Sequence, residues 1–183
     1  MGIVGFFVLQ FSRVLAIFCD WGEKMDFRTK VDNQIFGVRA TALLIKDGKI
    51  FLTKDSKGRY YTIGGAVEVN EVAADAVVRE VKEELGVDSC VNRLAFVVEN
   101  QFTHEGIDFH NIEFHFIVEP IGEIPEKMIE GQLKQTCEWI DLDNLVNLDV
   151  VPAFLTKELP NWNGQMKHIT NVKEKIEHDL HIC

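Results

Sequence analysis

Positive charge is scarce in this chain. Nineteen Lys and Arg stand against 29 Asp and Glu, a formal net charge of -10, which leaves no basic face to neutralise a nucleic-acid backbone and excludes general DNA or RNA binding. Phosphate-bearing small molecules are not excluded, because divalent cations can bridge acidic side chains and polyphosphate. Paired cysteine motifs are also missing. Cys19, Cys90, Cys137 and Cys183 are scattered, with no C-x-x-C and no zinc-like pairing with histidine, so they read as reduced thiols unrelated to function. Internal repeats and low-complexity segments are absent. The longest apolar stretch, Ile3 to Cys19, is broken by Gln10, Ser12 and Arg13. A membrane span needs about 20 apolar residues and bears a central arginine only at high cost.

That stretch is not a secretory signal either, since Met1-Gly2 supplies neither a basic leading region nor a cleavage site. Two expectations stand for residues 1–24. In one, translation begins at Met25 and the apolar segment is an upstream extension outside the fold. In the other it is a membrane-associated helix. Stable membrane insertion and a location other than the cytoplasm are not expected. The remainder, 46% hydrophobic and 26% charged over a chain of 183 residues, is sufficient for one covered core and short for two. The expected division is residues 25–160 as the main domain and 161–183 as a tail, helical around Asn171 to Leu180.

Phe36 to Ile45 and Lys49 to Thr53 are β-branched and apolar around Asp47-Gly48, which predicts a hairpin. Tyr60 to Ile63 predicts a short strand leading into Gly64-Gly65. Ala73, Ala76, Val77, Val81 and Leu85 fall at helical intervals and form one apolar stripe, closed by Gly86 at a C-cap position. Val91 to Phe102 and Phe109 to Val118 predict two longer strands, the second stopped by Pro120. Residues 122–135 read as acidic and irregular, Cys137 to Ile140 as a strand, and Asp141 to Val146 and Val151 to Leu159 as short helices. Several strands around one long helix and short ones make an α/β protein with a mixed β-sheet.

On the long helix Glu80, Glu83 and Glu84 crowd three carboxylates into five residues. They share nearly one side at i,i+3 and i,i+4 spacing, where like charges destabilise a helix unless a cation sits among them. Magnesium takes oxygen ligands and bridges to substrate phosphates, and the Gly65 carbonyl just before the helix could add another oxygen. Arg79 can offset part of the repulsion and orient a carboxylate through its fork of donors. Glu71, at the helix start, is favoured by the macrodipole. Without further context, three glutamates on a helix are more often a solvated surface.

The context is a spacing. From Gly65 to Val87 the chain reads GAVEVNEVAADAVVREVKEELGV, which resembles the Nudix box, G-x5-E-x7-R-E-U-x-E-E-x-G-U with U aliphatic, at every specified position. The resemblance is strict over the box and looser from about residue 36 to 160. It implies a Nudix-like α/β/α sandwich, with Glu80, Glu83, Glu84 and the Gly65 carbonyl holding Mg2+ or Mn2+, and Glu71 pairing with Arg79. It further implies attack of water on a diphosphate linkage, in a nucleoside diphosphate joined to another moiety or in a nucleoside triphosphate. The general base is open between Glu80 and a carboxylate of the later loop, where Glu119, Glu123, Glu126 and Glu130 lie, Glu123 being the one singled out. Arg39 and Tyr61 are candidates for contacting substrate phosphate and base.

Two other functions stand against this reading: a catalytically silent nucleotide-binding or sensor module, which the intact box disfavours, and an isoprenoid-diphosphate isomerase, which lacks a suitably placed cysteine. His104, His110 and His115 read as sheet packing, and Trp139 as core. No proline-rich signature of dinucleotide-cleaving relatives follows the box. The expected partner is a small nucleotide-type diphosphate, with a homodimer left open beside a monomer.

Overall fold

The computed structural model describes residues 25–172 except Glu126, Gly131 and Gln132. The expectations for residues 1–24, for Glu126 and for the helical piece beyond Val172 therefore lie outside the described residues. Among the described residues eleven strands and two α-helices follow one another as β1 (Arg28–Val31), β2 (Gln34–Lys46), β3 (Lys49–Lys54), β4 (Tyr60–Tyr61), β5 (Ile63–Ala66), α1 (Ala73–Leu85), β6 (Asp88–His104), β7 (Ile107–Ile121), β8 (Lys127–Glu130), β9 (Leu133–Asp141), a 3-10 turn (Leu142–Asn147), β10 (Val150–Val151), α2 (Leu155–Glu158) and β11 (Lys167–Asn171). The strands form one curled sheet in the order β10-β4-β3-β2-β7-β6-β11. Strands β1 and β5 also pair with β2, and β9 joins β3 to β8. Parallel pairs (β2 with β7, β6 with β11) stand beside antiparallel ones, so the sheet is mixed.

Strand β2 carries the architecture because its alternate residues face different layers. Ala40, Ala42 and Leu44 pack with Val77, Val81 and Leu85 of α1. Leu43 packs on the other side with Leu145 of the 3-10 turn and Phe154 and Leu155 at α2. Helices on both faces of one sheet make an α/β/α sandwich. Burial of each large α1 side chain contributes about 1.5–3 kcal/mol, and this stripe fixes which side of the helix faces away from the core. Gly86 ends α1 in the left-handed region at φ 74°, its N–H donating to the Lys82 carbonyl. Asp47 and Gly48 both have positive φ, 50° and 74°, the geometry of a tight hairpin turn.

The structure corrects three sequence expectations. Pro120 does not stop β7. Pairing of β7 with β2 ends at Leu44 and Val118, so among the described residues Pro120 sits where the strand has only β6 as a neighbour, and a missing N–H on the other side breaks no ladder. Residues 122–135 are not irregular throughout, because β8 and the start of β9 form a hairpin within them. Strand β9 is long because β3 templates it, with Trp139 opposite Phe51 at a ring distance of 5.2 Å. Finally, the sheet extends past residue 160: Lys167 to Asn171 pair in parallel with Phe96 to Asn100.

Candidate active site

Gly64 and Gly65 lie within β5, paired with Thr41 and Ala40 of β2, and bring backbone against the carboxylate side of α1. Gly64 has φ 143°, and a Cβ there would lie 2.7 Å from the Thr41 Cα. Gly65 is required for a different reason. A Cβ at Gly65 would overlap the Glu80 carboxylate, with Oε2 only 2.6 Å away, so the space a methyl group would fill is the space the acid uses. Gly65→Ala is expected to fold and to lose about a hundredfold in kcat, because the carboxylate must leave its seat. Steady-state kinetics with a melting curve check this, and unchanged kcat would show that the seat does not matter.

Arg79 is the hub of the acidic face. Its Nε and Nη2 donate to the two Glu71 oxygens at 2.9 and 3.0 Å, its Nη1 to Glu80 at 2.7 Å, and its Nη2 also to the Ala66 carbonyl at 3.0 Å. Glu68 and Glu83 each lie 3.5 Å from it. Glu71 in turn accepts the Glu68 backbone N–H at 3.0 Å, which ties the loop before α1 to the helix. The Glu71 hydrogen bonds, followed by those to Glu80, hold the guanidinium firmly protonated. Burial raises the Glu80 carboxyl above its usual range, although Arg79 opposes the shift.

Among the described residues no three carboxylates, histidines or cysteines already converge on one point. Glu80 and Glu83 turn toward Arg79, whereas Glu84 lines the adjoining cleft. The donor set nevertheless suits a hard divalent cation: three carboxylates on one helical face, one of them pressed against a glycine backbone. Such ions bind by few protein ligands together with water and substrate phosphate, so a preassembled protein cage is not needed.

The cleft has a volume of about 360 Å³. Arg39, Gly64 and Glu84 line it, and Arg39 Nη2 donates to the Gly64 carbonyl at 3.1 Å. Thr53, Asp55, Tyr61 and Gln135 line it as well, with the Thr53 hydroxyl donating to Gln135 Oε1 at 3.0 Å. Arg39 and Tyr61, singled out in the sequence, are thus brought together with Glu84. Glu123 is exposed and does not line the cleft.

Asp55 organises the loop between β3 and β4. It accepts the N–H groups of Lys57 and Arg59 at 2.8 and 2.9 Å, the Arg59 Nε at 2.9 Å and the Tyr61 hydroxyl at 3.2 Å. These bonds outweigh its desolvation and lower its pKa from 3.8 to about 2. A lowered folded-state pKa means that the contribution to stability is complete above pH 3.8 and is lost as pH falls toward 2. Acid unfolding of Asp55→Asn should therefore show a shallower loss of stability across that window than wild type; parallel curves would contradict the role. Sequence reading did not single out Asp55, although an aspartate two residues before a turn N–H is an Asx-turn signal. It also passed over Glu68, Glu113 and Gln135.

Comparison with known proteins agrees with this geometry. The NUDIX domain model matches residues 36–161. An ADP-ribose pyrophosphatase of Methanocaldococcus jannaschii is 32% identical over 131 residues, covering 69% of this chain and 75% of that protein. A CTP pyrophosphohydrolase of Escherichia coli is 34% identical over 79 residues, 40% of this chain and 57% of that protein. Among solved structures, a mutator MutT protein from Bacillus halodurans superposes with a TM-score of 0.56 at 20% identity, over 73% of this chain and 90% of that one. Among the described residues no helix is long and apolar enough to cross a membrane.

Proposed function

The chain belongs to the Nudix family and is a Nudix-type pyrophosphohydrolase, and from that premise we propose that it hydrolyses the diphosphate linkage of a nucleoside diphosphate joined to another moiety, or of a nucleoside triphosphate, with Mg2+ or Mn2+. The observation that carries this reading is the meeting of Glu84, Arg39 and the Gly64 backbone in one cleft beside the Arg79-centred carboxylates. The names of two relatives, an ADP-ribose pyrophosphatase and a CTP pyrophosphohydrolase, support both substrate types.

Glu80, Glu83, Glu84 and the Gly65 carbonyl would hold the divalent ion, which supplies charge neutralisation at the diphosphate and a more acidic water. The chain's own residues do the rest. Arg39 binds a phosphate oxygen through the guanidinium already anchored on Gly64. Arg79 and Glu71 act on catalysis by fixing the orientation of Glu80. Glu80, seated against the Gly65 backbone and oriented by Arg79, is the preferred proton acceptor; Glu123 could serve only if its segment moved to the cleft. Tyr61 lines the cleft and offers its ring to a base or sugar. Water oxygen bonds to phosphorus, the P–O–P bridge breaks, and two phosphate-bearing products leave.

Hydrolysis of a nucleotide panel in 18O-water tests this. One product of each turnover should be a nucleoside monophosphate, and one phosphate should carry a single label. Binding without turnover would instead mark a sensor module.

A further inference from the structure

The cleft stands in front of a buried polar stripe that the reaction does not use. Thr41 of β2 and His115 of β7 are register partners, and Thr41 Oγ1 is hydrogen-bonded to His115 Nδ1 at 2.6 Å. Arg39 and Glu113 are also register partners, two residues back on each strand, so strand alternation places them on the same face of the sheet. Glu113 is 4% exposed. It accepts hydrogen bonds from Asn100 Nδ2 at 2.9 Å and Asn111 Nδ2 at 3.4 Å, and its Oε2 lies 3.3 Å from His115 Nε2. An ionised carboxylate can only accept, so Nε2 carries the proton toward it. Burial alone would raise its pKa, but the His115 and Asn100 hydrogen bonds and the Arg39 charge hold it below the usual range. Glu113 is thus a fixed negative charge beneath Arg39.

Among the described residues lining the cleft, Arg39 is the one cation, and Asp55 and Glu84 are both acidic. Arg59, over the Tyr61 ring, is committed to Asp55 at 2.8 Å. We propose that Glu113 makes the cleft selective for diphosphates whose second group is uncharged, such as a sugar or alcohol, over nucleoside triphosphates. Its charge offsets Arg39, so the site tolerates the two charges of a diphosphate diester and penalises the additional charges of a triphosphate. Thr53, Tyr61 and Gln135 of the lining point the same way, because they offer hydroxyl, ring and amide to a hydroxyl-bearing group, while Asp55 among them is an acid that disfavours a further phosphate. The selection rests on the diphosphatase reading of this cleft and divides its two substrate types.

The test compares kcat/KM for substrates sharing a base, ADP-ribose against ATP and CDP-glycerol against CTP, so that base recognition cancels. Wild type should favour the diphosphate of each pair. Glu113→Gln should shift that preference toward the triphosphate by about tenfold, the effect of one unit charge at about 10 Å in an effective dielectric near 20. Glu113→Asp, which keeps the charge, should retain the wild-type ratio. A merely structural role would lower the melting temperature and leave the ratio unmoved. Equal or better turnover of triphosphates by wild type overturns the proposal even if Glu113→Gln does not fold, as does an unchanged ratio in a folded Glu113→Gln. If wild type hydrolyses none of the four compounds, the diphosphatase reading fails, and calorimetric affinities of wild type for each pair in Mg2+ then decide the charge selection by the same inequality.

Discussion

Glu84→Gln is expected to lower kcat about a thousandfold, equivalent to several kcal/mol of transition-state stabilisation, with little change in melting temperature. Glu84 is half-buried at the edge of the α1 stripe, and of the three helix glutamates it is the one lining the cleft with Arg39 and Gly64. Glutamine keeps the size and a hydrogen-bonding oxygen and removes the charge, so the packing volume is unchanged while a divalent ion loses a ligand. KM should change less than kcat, because substrate phosphate retains Arg39. A variant with wild-type kcat would remove Glu84 from the site.

Arg79→Ala has the largest expected effect on stability. The guanidinium is 18% exposed and pairs with Glu71 and Glu80, whose side chains are 15% and 13% exposed, with Glu68 at 19% also beside it. Removing it leaves several poorly solvated carboxylates facing one another, and breaking such a pair costs about 3–5 kcal/mol. Lysine should recover only part, since one ammonium cannot replace a fork that reaches Glu71, Glu80 and the Ala66 carbonyl together. The pH dependence gives a sharper sign. Crowded carboxylates bind protons more readily when folded than unfolded, so the stability of Arg79→Ala should rise as pH falls from 7 toward 5. Denaturant midpoints at several pH values measure it; a deficit independent of pH would mean lost packing instead of charge repulsion.

The parts legible in the sequence are those written locally. The α1 stripe from Ala76 to Leu85 with its glycine cap, and the Asp47-Gly48 hairpin, appear in the structure as read, because helix periodicity and turn geometry need no distant partner. The box spacing likewise located the acidic face. What escaped depends on pairing across the chain. Strands β8 and β9 exist because β3 offers an edge more than 80 positions earlier for Trp139 and its neighbours, and Lys167 to Asn171 are a strand because β6 accepts them. Pro120 misled for the same reason: whether a proline ends a strand depends on which side has a neighbour. Glu113 looked like one polar residue among phenylalanines, and only the register beside Arg39 gives it significance. Arg39 and Tyr61 were marked by residue type, but their meeting with Glu84 needed the β2–β5 pairing.

The central claim is that the acidic face of α1 and the cleft beside it form a divalent-metal diphosphatase site. The most direct measurement is turnover of the nucleotide panel by wild type and Glu84→Gln, each in EDTA and after Mg2+ is restored. The account predicts wild-type hydrolysis that stops in EDTA, returns with Mg2+ and is nearly absent in Glu84→Gln under both conditions. Hydrolysis that persists in EDTA, or equally in the folded variant, would contradict it.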